Sequence, residues 1–314
     1  KSEHDTLSGN LGSLSGDLAA NYYTKTQSDQ NFALQTALAA ALKRLDDLEN
    51  KWCPPYYEKI ADASISATGY YCKRGADEMV KVGDFWVDRY ENSLWTKADC
   101  TGDQKGINDG DMHTYGFVRN GTDISVSLYA CSVSRVAAAR YITWFQAAQA
   151  CGNVGKTLCS NTEWQMASSG TPDPGSWPDT DSSDGCTGNA PATQCNTCSN
   201  GPGTTGSFVA CVSRWGTYDM IGNFGEWTAD WNSHGGSASA SGVQTVPEYK
   251  GDRYHRLDAA HYNGTYDGVS PVFPAVAVRG GHWGEGAGAG VFAILLGYSA
   301  SFEDEAFGFR CCRH

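Results

Sequence analysis

Apolar residues recur at intervals of three and four through the first fifty positions. Leu7, Leu11, Leu14 and Leu18 form one block, and Leu34, Leu38, Ala41, Leu45 and Leu48 form a second. This is the seam spacing by which helices wrap around copies of themselves. Gly9, Gly12 and Gly16 disfavour helix in the first block, so the second is the better helix. An isolated helix with so narrow a seam is marginal in water. The expectation is therefore a homo-oligomer, with a short monomeric helix as the alternative.

After Lys51 the pattern changes. Trp52, Cys53, Pro54 and Pro55 end the helical period, and the chain beyond them is rich in Gly and Trp with only short apolar runs. The chain therefore reads as two domains: residues 1–51 as an oligomerising stalk and residues 52–314 as a globular ligand-binding domain. Within the latter, Trp144, Ala147, Ala148 and Cys151 lie at helical spacing, and TEWQMASS begins a second short helix with Thr162 as its cap. The runs VDRYENS, VSRVAA, YDMIGN, AVAVRGG and FGFRCCR alternate between Gly or Asn boundaries and read as short strands. The class is α+β, rich in irregular loops.

Composition narrows the function. Lys and Arg number 23 against 35 Asp and Glu, a formal charge of -12, which opposes both a phosphate backbone and an anionic membrane surface. Nucleic acid is excluded as a partner on that ground. No run of ~18 apolar residues occurs, so no membrane insertion is expected, and the start KSEHDTLSGN lacks a signal-peptide layout. The 12 cysteines point to an oxidising, extracellular setting with several disulfides. Only Cys195 and Cys198 have CxxC spacing, and zinc would need further ligands.

Between the two leucine blocks, NYYTKTQSDQNF resembles phage tail-fibre sequences. That resemblance implies a trimeric stalk on a virion tail fibre or cell surface. Further along, five ordered segments resemble the formylglycine-generating enzyme of sulfatases: VGDFWVDRYENS, WFQAAQACGNVGKTLCSNTEWQMA, RWGTYDMIGNFGEWTADW, VRGGHW and GFRCCR. The resemblance implies a C-type-lectin-like fold over roughly residues 80–313, with Trp86, Trp164, Trp215, Trp227 and Trp231 as core or subcore rings.

Enzymes of that family use a cysteine pair that holds copper, between the RGG-type and GFR-type segments. Residues 282–307 contain no cysteine, and Cys311 and Cys312 come after the GFR run, where a structural role is expected. No catalytic residue is assigned. His255 and His261 are too far apart for a metal-binding helical turn. Family members often hold structural calcium near a GN-x-x-E run, which here offers Asn223 and Glu226, although Gly225 departs from the usual Trp. The acidic loop PDTDSSDG, with Asp179, Asp181 and Asp184, reads as solvated carboxylates, and Asn120 and Asn263 lie in NGT sequons.

The segment RGGHWGEGAGAGVFAILLGYSASFEDEAFGFRCCR resembles the variable region of proteins diversified by retroelements, whose templates scatter Asn codons while a framework persists. Framework matches are Arg279, Gly280, Gly281, Trp283, Gly286, Ala287, Ala289, Gly290, Phe292, Ala293, Gly308, Phe309 and Arg310. Template-Asn positions fall on His282, Gly284, Glu285, Gly288, Leu295, Gly297, Tyr298, Phe302, Asp304 and Ala306. All but Glu285 have codons reachable from an Asn codon by changing its adenines.

The resemblance implies a variable region of about 279–313 that binds a protein or glycan on a host or target cell surface, with the variable side chains on one exposed face. Trp283, Phe292 and Phe309 should pack inward beneath them. Alternatives are a formylglycine-generating-type copper oxidase and a purely structural virion or surface component.

Overall fold

A computed structural model describes residues 10, 32–42, 52–108, 127–172, 194–232, 243–245, 253–255 and 275–314. The chain divides into two compact units, Lys1–Pro55 and Tyr56–His314. In the first, residues 32–42 are helical (α1). Leu34 and Leu42 on this helix are exposed and Leu38 and Ala41 are half-buried, so the apolar seam is open. The first leucine block, the YYTKT segment, Leu45 and Leu48 lie outside the described residues.

In the second unit, strands are numbered along the chain. One sheet runs β1 (Glu58–Ala61), β2 (Tyr70–Arg74), β3 (Asp77–Val82), β4 (Phe85–Asp88), β15 (Cys311–Arg313), β8 (Thr157–Leu158). A second runs β10 (Val243–Thr245), β11 (Arg253–His255), β13 (Ile294–Ser299), β12 (Ala275–Arg279), β9 (Gly225–Asn232), β14 (Phe307–Phe309). A small third sheet orders β6 (Gln104–Lys105), β5 (Ser93–Trp95) and β7 (Tyr129–Cys131). Hairpin pairing of β2, β3 and β4 is allowed by short turns in which Gly75 and Gly83 take positive φ.

Two helices join the sheets. Thr143 caps α2 (Trp144–Gly152) in a capping box with Gln146, and Ser160 caps α3 (Asn161–Ala167) with Glu163. The cap is therefore Ser160 and not the expected Thr162: Ser160 Oγ accepts from Glu163 N, and Glu163 Oε2 accepts from Ser160 N. VSRVAA and YDMIGN are loops and not strands. Backbone groups of Arg135 and Val136 pair with Thr205, while Asp219, Gly222 and Asn223 adopt positive φ, which a strand does not accommodate.

The main core lies where α2 covers the second sheet, with Ala147, Ala150 and Cys151 against Trp227, Val276, Val278, Leu295, Phe307 and Phe309. A second cluster gathers Val80, Val82, Val87, Trp164, Met220 and Cys312. The adjacent Cys311 and Cys312 tie β15 to both helical regions, through Cys151–Cys311 and Cys159–Cys312. Further disulfides are Cys100–Cys131 and Cys195–Cys211, and Cys53, Cys72 and Cys198 are also disulfide-bonded. Among the described residues no cysteine is free. Cys195 and Cys198 are both spent on disulfides, leaving no thiolate pair for zinc.

Beneath β3 and β4 the buried Lys156 ammonium donates to Asp77 at 2.8 and 2.9 Å and to Asp88 at 2.6 Å. Burial opposes the Lys156 charge, but the two aspartates outweigh it and hold the ammonium above the usual lysine range. Burial pushes the Asp88 carboxyl up to about 6, with Lys156 pulling the other way.

Candidate recognition face

The candidate segment is bracketed by two buried arginines. Arg279, at the end of β12, donates to Ala293 O, Val291 O, Asn161 Oδ1 and Gln165 Oε1, and stacks over Trp164 at 4.5 Å. Gly280 and Gly281 come next at φ +90° and +76°, where a Cβ would meet Met220 O at 2.8 Å and Ala289 Cα at 2.7 Å. At the other end Arg310 forms a buried pair with Glu226, Nε to Oε2 at 2.7 Å and Nη2 to Oε1 at 2.6 Å. Arg310 also donates to Asp88 O and Tyr218 O.

Between these anchors the template-type positions divide. His282, Tyr298, Phe302 and Asp304 are half-buried, as is the backbone of Gly284. The His282 Nδ1 accepts from Gly284 N at 3.1 Å. Tyr298 and Phe302 lie on the same side of the domain with ring centroids 4.8 Å apart, and both rings contact Phe307. Asp304 Oδ1 accepts from Ala306 N at 2.9 Å.

Exposure, expected for all ten, fails at Glu285, Leu295 and Ala306, which are at most 6 % exposed. Gly288 is buried as well, in a 3-10 turn spanning Gly286–Gly288, and Gly297 lies within β13. Leu295 sits opposite Val278 and Tyr298 opposite Val276, on either side of a register shift. Both side chains therefore face the α2 side of the sheet, Leu295 in its middle and Tyr298 at its rim. Among the framework residues Phe309 is fully buried, Trp283 is half-buried and Phe292 is 43 % exposed, so the inward packing expected of Phe292 is corrected. Phe292 lies in the turn between Gly290 and β13, which leaves its ring outside the core.

The calcium expectation at Asn223 and Glu226 does not fit. Both Glu226 oxygens are taken by Arg310, and Oε2 also accepts from Trp164 Nε1 at 2.7 Å. Asn223 Oδ1 accepts from Asn196 Nδ2 at 3.0 Å and Gly203 N at 2.8 Å, and its Nδ2 donates to Glu91. A cation there would face a guanidinium in place of free oxygens. Burial raises the Glu91 carboxyl well above its ordinary value, reinforced by the charges of Asp219 and Glu226, and burial pushes Asp219 up to about 7. Among the described residues no group of three His, Cys, Asp or Glu side chains could hold a metal ion. The loop with Asp179, Asp181 and Asp184, both sequons and His261 lie outside the described residues.

Sequence reasoning missed one feature beside the segment. Trp231, expected as a core or subcore ring, is 44 % exposed at the end of β9. Its ring meets Trp144 edge to face at 4.8 Å, and Trp144 meets Phe145, 36 % exposed, at 5.4 Å. The β9 and β13 registers on β12 place Trp231, Val276 and Tyr298 in one rung. The sequence signal was the pair Trp144 and Phe145 at a helix start, of which an amphipathic helix needs only one inward.

These sheets and short helices, with long intervening loops, define an α+β domain. The chain belongs to the family of sulfatase-modifying factor enzyme 1-like domains, which matches residues 73–314. Comparison with curated protein sequences gives no match.

Among solved structures, the M1 variant of Major Tropism Determinant is similar at 20% identity and a TM-score of 0.45, over 83% of this chain and 55% of that one. Treponema denticola variable protein 1 is similar at 14% identity and a TM-score of 0.42, over 82% and 94%. PvdO from Pseudomonas aeruginosa is similar at 18% identity and a TM-score of 0.40, over 82% and 91%. The chain thus spans little more than half of the Major Tropism Determinant chain it matches. No helix among the described residues is long and apolar enough to cross a membrane.

Proposed function

We propose that this protein is a display protein without catalytic activity, whose segment from Arg279 to Arg310 is diversified by a retroelement to bind a protein or glycan on a cell surface. One observation carries the reading. His282, Gly284, Tyr298, Phe302 and Asp304 keep solvent access within a segment whose two ends, Arg279 and Arg310, are buried and hydrogen-bonded. Side chains on such a frame can change while the backbone stays fixed, so new partners cost little stability. The disulfides at Cys311 and Cys312 speak against the copper-oxidase alternative, which needs free thiolates.

The open apolar seam of residues 34–42 supports an oligomer, a trimer by the tail-fibre resemblance, and the disulfides suit an extracellular virion or cell-surface location. Several copies would raise weak single-site binding by avidity.

The test is the DNA beside the gene. A near-copy of the codons for residues 279–310, with Asn codons at the template-type positions and a reverse transcriptase alongside, is the expected finding. A locus with neither would overturn the proposal. Light scattering of the full chain at micromolar concentration tests the oligomer, which a monomer would refute.

A further inference from the structure

We infer that the ligand face extends past the template-type positions onto a fixed aromatic shelf of Trp144, Phe145 and Trp231, and that this shelf takes a basic segment of a partner protein. The inference rests on the display reading for its location but uses residues outside the segment from Arg279 to Arg310.

The two regions form one edge of the domain. Trp144 N donates to Ala300 O at 3.1 Å, and the indole Nε1 of Trp144 donates to Thr228 O at 2.7 Å, so this ring is pinned between the end of β13 and β9. From Ala300 the chain passes Phe302 and returns along Tyr141, whose N donates to Asp304 O at 2.9 Å and whose hydroxyl donates to Glu305 at 3.3 Å. The half-buried rings of Phe302 and Tyr141 thus pass directly into the run Glu303, Asp304 and Glu305. Large exposed aromatic area in a fixed geometry marks recognition, since the rings lose little entropy on binding.

Charge decides the occupant. Asp304 and Glu305 lie beside Tyr141, three residues from Trp144, and the whole chain carries -12. The nearby cation Arg140 is engaged with Ile107 O at 2.7 Å and with the Tyr141 ring at 5.3 Å. The Trp144, Phe145 and Trp231 rings contact one another edge to face or tilted, at 4.8 to 6.2 Å, which leaves no cage between them. An Arg or Lys side chain would therefore lie along the outer ring face with its charged head at the ring edge, toward Asp304 and Glu305. Lys and Arg side chains, with apolar stems and charged heads, suit both parts of that edge.

Titration of the full chain with the blocked peptide (Arg-Gly)4, against blocked (Glu-Gly)4 and chitotetraose, tests this. The basic peptide should bind, and less tightly as salt rises. Trp231→Leu, which keeps bulk but removes the ring face, should weaken binding about tenfold. D304N with E305Q should weaken it and flatten the salt dependence. Equal binding by Trp231→Leu would mean general attraction to an acidic chain and overturn the shelf, as would binding of chitotetraose in place of the peptide. A shelf that binds beside a gene lacking any template copy would sink the display reading alone. Peptide binding lost with Y298A and F302A but kept in Trp231→Leu would sink the shelf alone.

Discussion

Tyr298 and Phe302 meet at a ring-centroid distance of 4.8 Å and rest together on Phe307, which is buried against Trp227. Two positions of the template-Asn type are thereby joined to the core through a single buried ring. The face can vary outward while its inner side stays anchored.

That contact predicts a coupled but tolerable loss. Tyr298→Ala and Phe302→Ala should each cost about 1–2 kcal/mol, with a coupling of about 0.5–1.5 kcal/mol between them. Urea unfolding of both single variants and the double variant measures this. Strict additivity would show that the rings act separately.

Arg310→Met should cost about 3–5 kcal/mol, because it leaves the Glu226 carboxylate buried without its partner. Adding Glu226→Gln should recover part of that loss. An unfolding midpoint for Arg310→Met close to that of the parent would contradict the pairing.

Stability should fall as pH rises from about 4 to about 7. Burial raises Asp88 to about 6, Asp219 to about 7 and Glu91 well above its ordinary value. In this window the folded chain holds protons that the unfolded chain has released, so the stability these groups contribute below their unfolded pKa is lost as pH rises through the folded values. Urea midpoints across that range check the sign, and Asp219→Asn should flatten the slope near pH 7.

Chelation with EDTA should leave the melting temperature unchanged at the Asn223 and Glu226 position, since Arg310, Trp164, Asn196 and Gly203 already fill their oxygens. Differential scanning calorimetry with and without added calcium reads this directly. A calcium-dependent rise abolished by Glu226→Gln would restore the site.

The sequence by itself determined the α+β class, the family, the helix carrying Trp144 and Cys151, and the structural fate of Cys311 and Cys312. Each rests on local periodicity, on ordered motifs, or on the absence of cysteine from residues 282–307. Only the tertiary structure decided what each side chain faces. The register shift in the pairing of β12 with β13 puts Leu295 inside and Tyr298 at the rim, though both occupy template-Asn positions. Glu226 looks like a calcium ligand until Arg310, 84 residues on, is brought against it. Trp231 reads as core until the end of β9 is seen to run to the sheet's edge. In each case the deciding neighbour is distant in sequence, and burial is a property of the neighbours a residue acquires on folding.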